Sequence, residues 1–245
     1  MKLLAGMAAA GAALLAAGYG VYLDFEPDRN RYPVRGVDVS HHQGTIDWPA
    51  LESDGIAFAY IKATEGGDFS DRKFAENWRE AARAGIARGA YHFFTLCRKG
   101  SEQARHFIAT VPVTPGALPP AVDLEFGGNC AGRPSPAALR AELTTFLKAI
   151  ETHYKSKPIL YTTRAFHDAY LRGVYPGYGF WVRSIYLEPD FRTTSWIIWQ
   201  FHERARKPGI KGPVDLNVFR GGPKAFARWR VKGELFARPA GPAPK

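Results

Sequence analysis

The chain has 245 residues, 46% of them hydrophobic and 23% charged, which is enough apolar content for one sizeable core and excludes a wholly disordered protein. Lys and Arg number 33 against 23 Asp and Glu, a net charge of +10, yet the cations are scattered rather than gathered in a tract with aromatic platforms, so no nucleic-acid partner is expected. Two cysteines without CxxC spacing exclude a disulfide scaffold and a cysteine-based zinc or redox motif.

The run Leu3–Leu23 follows Lys2 and carries no charge. It matches the roughly 20 residues that span a bilayer and also resembles a secretory signal, so residues 1–23 read as a signal peptide or signal anchor. Either reading exports the remainder, to the periplasm, to a membrane-anchored position facing it, or to the medium. Residues 24–34 are polar and read as a linker. The domain then spans 35–232, and the Pro- and Ala-rich residues 233–245 read as a disordered tail.

Within the domain, Gly36–Ser40 reads as a strand and HHQG as the turn leaving it, with His41 and His42 on opposite faces of an extended chain. Asp47 caps a brief helix through Leu51. Ile56–Ala63 is apolar enough for a strand covered on both sides. Asp71 is placed to cap a helix carrying Phe74, Trp78, Ala81 and Ala82 at helical spacing, ended by Gly85. Ala87–Phe94 is the next strand, and Ser101 the cap of a helix with Ala104, Phe107 and Ile108 inward. In Leu118–Cys130, LPPAVDLEFGGNC, the prolines open a strand and the glycines close it. Ser135 and Pro136 begin the longest helix, to about Tyr154, followed by a strand at Pro158–Thr162 and a short helix at Arg164–Leu171. Gly179–Val182, Ser195–Phe201 and Val214–Phe219 are strands joined by loops. The pattern predicts an α/β fold, a TIM-like barrel of five βα units followed by about three strands, plus the N-terminal apolar helix. An open doubly wound sheet is the alternative.

Chemistry in such barrels sits at the C-terminal strand ends. That position selects Asp38, Glu65, His92, Asp123, Glu125, Tyr161, Gln200 and Asp215. Asp123 and Glu125, two apart in one strand, face the same side roughly 6.5 to 7 Å apart at their Cα atoms. Cys97 and Cys130 follow neighbouring strands, which favours a disulfide clamping two loops at the mouth. With no HExxH, HxH, GxSxG or phosphate-binding glycine loop, neither a metal nor another cofactor is expected, and the acid cluster is the strongest signal. Glycoside cleavage needs one protonated carboxyl and one charged one. Crowding of Asp38, Asp123 and Asp215 supplies the first, with Glu125 as proton donor and Asp123 in the anionic role. Tyr60, Tyr91, Tyr161, Trp181 and Trp199 offer sugar-stacking faces, with core packing as the competing role for each.

These motifs together resemble the glycoside hydrolase family 25 muramidases, the Chalaropsis-type lysozymes. The likeness spans about Arg35–Arg220 through GVDVSHHQGTIDW, AYIKATEG, GAYHFF, VDLEF, ILYT, WQF and VDLN, in order. It implies a monomeric enzyme, with peptidoglycan glycan strands as partner, cutting the β-1,4 bond between N-acetylmuramic acid and N-acetylglucosamine. By matching position it implies Glu125 as general acid, Asp123 as the stabiliser or the group orienting the substrate's acetamido arm, Asp38 and Asp215 as flanking aspartates, and Tyr161 near the reacting sugar. Tyr60, Tyr91, Trp181 and Gln200 complete the expected substrate contacts. Trp181, Val182 and Arg183 stand where many members have Trp and two small residues, a Gram-negative-like feature. A chitinase-like hydrolase and a non-catalytic glycan-binding barrel are the alternatives. With no wall-binding repeats in view, residues 3–23 would tether the enzyme to a membrane.

Overall fold

The computed structural model describes residues 25–191 and 196–232. The segments expected as signal or anchor (1–23) and as disordered tail (233–245) lie outside these residues. The described residues form nine strands: β1 (Arg35–Val39), β2 (Ile56–Glu65), β3 (Phe69–Ser70), β4 (Ala87–Phe93), β5 (Ala121–Leu124), β6 (Ile159–Thr163), β7 (Phe180–Arg183), β8 (Trp196–Ala205) and β9 (Val214–Phe219). Because β1 pairs with β2 on one side and with β9 on the other, eight of them close into a barrel, and the open-sheet alternative is excluded. All neighbours in the ring are parallel except β9, which runs antiparallel to β8 and β1. The two-residue β3 folds back on the end of β2, outside the ring.

The helices are α1 (Trp48–Ser53), α2 (Phe74–Arg83), α3 (Gly100–Thr110), α4 (Pro136–Tyr154), the single turn α5 (Arg164–Phe166) continued by a wider turn at His167–Leu171, and α6 (Pro223–Lys232). Two caps stand where the sequence puts them: Asp47 accepts from the Ala50 amide and Ser135 from the Ala138 amide. Two do not. α2 begins after Lys73, and Asp71 instead takes the His41 amide on Oδ2 and the Lys73 amide on Oδ1. α3 begins one residue before Ser101, and its first amide, that of Gly100, donates to Glu142 Oε2 at 2.7 Å. A Cβ at Gly100 would lie 1.9 Å from the Glu142 carbonyl oxygen, so this close approach of α3 and α4 requires glycine.

Alternation along the strands sorts two apolar layers. Val37, Val39, Ala59, Ile61, Val122 and Leu160 point outward under the helices. Phe58, Tyr60, Ala121, Ile159, Trp181 and Phe219 fill the inside. Gly36 and Gly89 leave room for two of these rings, since a Cβ at either would lie 2.4 Å from Phe58 or Tyr60. The helix α6, absent from the sequence-based reading, closes the floor with Phe226 and Trp229 set against Phe58 and Phe219.

After α5 and its turn, no helix among the described residues precedes β7, β8 or β9. Of residues 24–34, expected as a linker, the described part, 25–34, lies on that side of the barrel. Phe25 packs edge-on to Tyr186 and Phe201, and Tyr32 edge-on to Trp199. Lys207 Nζ bridges Glu26 and Asp54, both at 3.1 Å, and Arg35 donates to the Pro27 carbonyl.

Candidate active site

Strand register brings the acids together. Asp38 lies opposite both Tyr60 on β2 and Asp215 on β9, and Asp123 lies opposite Phe93 and Tyr161. A cavity of about 240 Å³ at the C-terminal strand ends is lined by Asp38, Tyr91, Asp123, Glu125, Tyr161, Trp181, Gln200 and Asp215. A second hollow of about 720 Å³ shares Glu125, Tyr161, Gln200 and Asp215 with it, so the two form one cleft passing over Glu125. Of the nine residues expected as catalytic or substrate-binding, eight line it. Tyr60 does not: it lies wholly buried beneath Trp181, its hydroxyl donating to the Pro119 carbonyl at 2.9 Å. A tyrosine one layer deeper in the barrel reaches no solvent. Trp199 faces outward, its Nε1 donating to the Ser184 carbonyl. His92 is also outside the site, buried between Thr64 and Gln103 and stacked on Phe146. Burial holds its pKa down at about 3, so its ring is neutral.

Asp38 is the acceptor on which the inner network converges. Asn217 Nδ2 and Gln200 Nε2 donate to its Oδ2 at 2.7 and 3.0 Å. Trp181 Nε1 donates in turn to Asn217 Oδ1, and the Tyr161 hydroxyl to Gln200 Oε1. Asp215 is hydrogen-bonded to Asp38, and burial together with the Asp38 charge pushes its pKa up to about 10. Burial also raises Asp38, against the three hydrogen bonds that favour its charged form. Asp215 therefore holds a proton at neutral pH, and its hydrogen bond, with those of Asn217 and Gln200, favours the charged form of Asp38 against burial.

Asp123 and Glu125 face the open part of the cleft. Burial, then the charges of Glu125 and Asp38, raise Asp123 well above the usual carboxylate range, while Lys62 opposes this. Burial is also the largest cause of the rise at Glu125, opposed by the Arg183 guanidinium. Asp123 Oδ1 is buried without a hydrogen-bond partner in the protein, a group that a bound ligand's donor would satisfy.

Several site residues escape the sequence reading. Lys62 follows Tyr60 by two on the same face of β2 and lines the cavity, paired with Glu65 at 2.7 Å. Asn217 follows Asp215 by two, and the period of two that singled out Asp123 and Glu125 would have found both. Arg183 and Glu203 form an ion pair in the larger hollow. His41 and His42 are not splayed on an extended chain: Ser40 caps a tight helical turn His41–Gln43 that brings the rings to 4.1 Å and sets His42 and Gln43 at the cavity.

The loop carrying Glu125 is held twice. Cys97 and Cys130 are bonded, with Cα atoms 6.2 Å apart. Asn129 accepts from the Leu96 and Cys130 amides and donates to the Phe94 and Glu125 carbonyls at 2.9 and 3.0 Å. This fixes the backbone of Glu125 against the end of β4.

Proton-holding carboxyls at the bared end of a barrel, in a cleft open along its length and walled by Tyr and Trp, define a glycoside hydrolase site. Comparison with known proteins agrees. The model of glycosyl hydrolases family 25 matches residues 37–210, and the chain belongs to that family. It is 38% identical over 196 residues to the uncharacterized protein YegX of Escherichia coli O6:H1, covering 78% of this chain and 71% of that one. It is 34% identical over 204 residues to Lysozyme M1 of Streptomyces globisporus, covering 77% and 68%. Among solved structures, a family 25 glycosyl hydrolase from Bacillus anthracis superposes with a TM-score of 0.78 at 38% identity, covering 83% of this chain and 95% of that one.

Proposed function

We propose that this enzyme is a muramidase, hydrolysing the β-1,4 bond between N-acetylmuramic acid and N-acetylglucosamine in peptidoglycan. The observation that carries the reading is the division of labour among four carboxyls. Asp38 and Asp215 hold their own proton behind the site, while Asp123 and Glu125, both raised, face the cleft. Glu125 stands where the two hollows meet and delivers its proton to the leaving oxygen. Asp123, once a substrate amide satisfies its bare Oδ1, carries the negative charge that stabilises the oxocarbenium-like centre or orients the acetamido arm. Tyr91, Tyr161 and Trp181 form the wall against which a sugar ring rests, and Gln200 ties that wall to Asp38.

The substrate lies outside the cytoplasm, so the apolar run at 3–23 is assigned to export, as a cleaved signal or a retained anchor. Among the described residues no helix is long and apolar enough to cross a membrane. Mass spectrometry of fragments released from purified peptidoglycan tests the reading. N-acetylmuramic acid at the new reducing ends is expected. Reducing-end N-acetylglucosamine, or faster cleavage of chitin oligomers than of peptidoglycan, contradicts it.

A further inference from the structure

The floor of the barrel, opposite the cleft, has a charge pattern that catalysis does not use. Lys155 and Lys157 sit between α4 and β6, and Lys224, Arg228 and Arg230 on α6, all exposed. Since α6 buries Phe226 and Trp229 against the barrel interior, Lys224 and Arg228 stand on the face turned away from it, and Arg230 on its flank with its guanidinium over the edge of the hollow and the Phe226 ring. Residues 111–120, 155–158, 172–180 and 220–232, which supply much of this end, contain no Asp or Glu. Among the described residues none of the five cations is in an ion pair, whereas Arg172 at the same end is paired with Asp168, and Arg29, Arg79, Arg83 and Arg98 elsewhere on the surface are paired as well.

One apolar tip lies among them. Val113 is 60% exposed, between Pro112 and Thr114 in the loop joining α3 to β5. It borders a hollow of about 220 Å³ whose lining includes Lys155 and Arg230. Protruding aliphatic side chains ringed by Lys and Arg suit the boundary between headgroups and acyl chains, where cations meet anionic lipid and the tip enters the apolar layer. A single-stranded polymer would need exposed aromatic faces for stacking. Here Trp78, Phe226 and Trp229 are buried.

We propose that this floor docks on the anionic surface of a lipid bilayer, seating the enzyme with its cleft turned away from the membrane. Each cation near such a surface strengthens binding roughly fivefold, an effect that salt screens.

Cosedimentation of the full chain with phosphatidylcholine vesicles, with and without phosphatidylglycerol, tests this. The uncharged run 3–23 binds both kinds alike, so the readout is the ratio of the two affinities. Wild type is expected to prefer anionic vesicles by at least tenfold at low salt, with the preference shrinking as salt rises. Combined Lys155→Gln, Lys224→Gln, Arg228→Gln and Arg230→Gln substitutions are expected to abolish the preference while leaving the melting temperature and glycan cleavage unchanged. Val113→Asp alone is expected to weaken binding to anionic vesicles severalfold. A wild type indifferent to lipid charge, a preference that survives the fourfold variant, or tight binding to soluble heparin without any vesicle preference would each overturn the proposal.

Discussion

Arg183 is the cation that most opposes the raised pKa of Glu125, and it is held beside the cleft by Glu203. Removing it lets the Glu125 proton bind more tightly. Arg183→Gln is therefore expected to move the alkaline limb of the pH profile of kcat/KM upward, and an unmoved or lowered limb would show that Arg183 does not set that proton. At Asp215 the consequence is for stability. A carboxyl whose folded pKa, about 10, exceeds its unfolded value holds its proton more tightly in the native state. Its contribution to stability is complete below about pH 4 and is lost as pH rises toward 10. Asp215→Asn keeps a donor toward Asp38 and does not titrate, so melting temperatures across this range should fall less with pH in the variant than in wild type. The acids themselves were legible in the sequence because charged residues between apolar neighbours at strand ends are costly without a use. The placement of Tyr60 was not, since period two fixes the face but not the depth, and Tyr60 and Lys62 share a face on opposite sides of that line.

The loop after β5 carries Glu125, the proposed proton donor, and the disulfide that ties it to the loop after β4 closes a separation of 33 residues. Cys97→Ser with Cys130→Ser is expected to lower stability by about 3 to 4 kcal/mol on the chain-entropy account, measured by denaturant titration. A loss well under 1 kcal/mol would mean that Asn129 alone holds the loop. The pairing was legible because neighbouring strands bring their following loops together. Asn129 was not, because a loop asparagine with four main-chain bonds looks in sequence like any turn residue. The caps divide in the same way: Asp47 and Ser135 serve their own helices, whereas Asp71 and Glu142 reach across to other segments, and local spacing cannot show a partner distant in sequence.

At the scale of the whole molecule, the barrel is asymmetric. Its first five parallel strands in chain order, β3 aside, are each followed by a helical segment, and residues 25–34 lie over strands at the other end of the chain. A polar composition disguised that role, because Phe25, Tyr32 and Val34 are three apolar residues with no strand or helix period. α6 was hidden by Lys and Arg interleaved with the apolar residues that close the floor. Both features leave one end of the barrel bare, and there the four carboxyls converge. The central claim is that Glu125 supplies the proton that breaks the glycosidic bond. Release of reducing ends from purified peptidoglycan, measured for wild type and for Glu125→Gln of matched melting temperature, tests it most directly. A fall of roughly 10²- to 10⁴-fold is expected, and undiminished release by the folded variant would contradict the account.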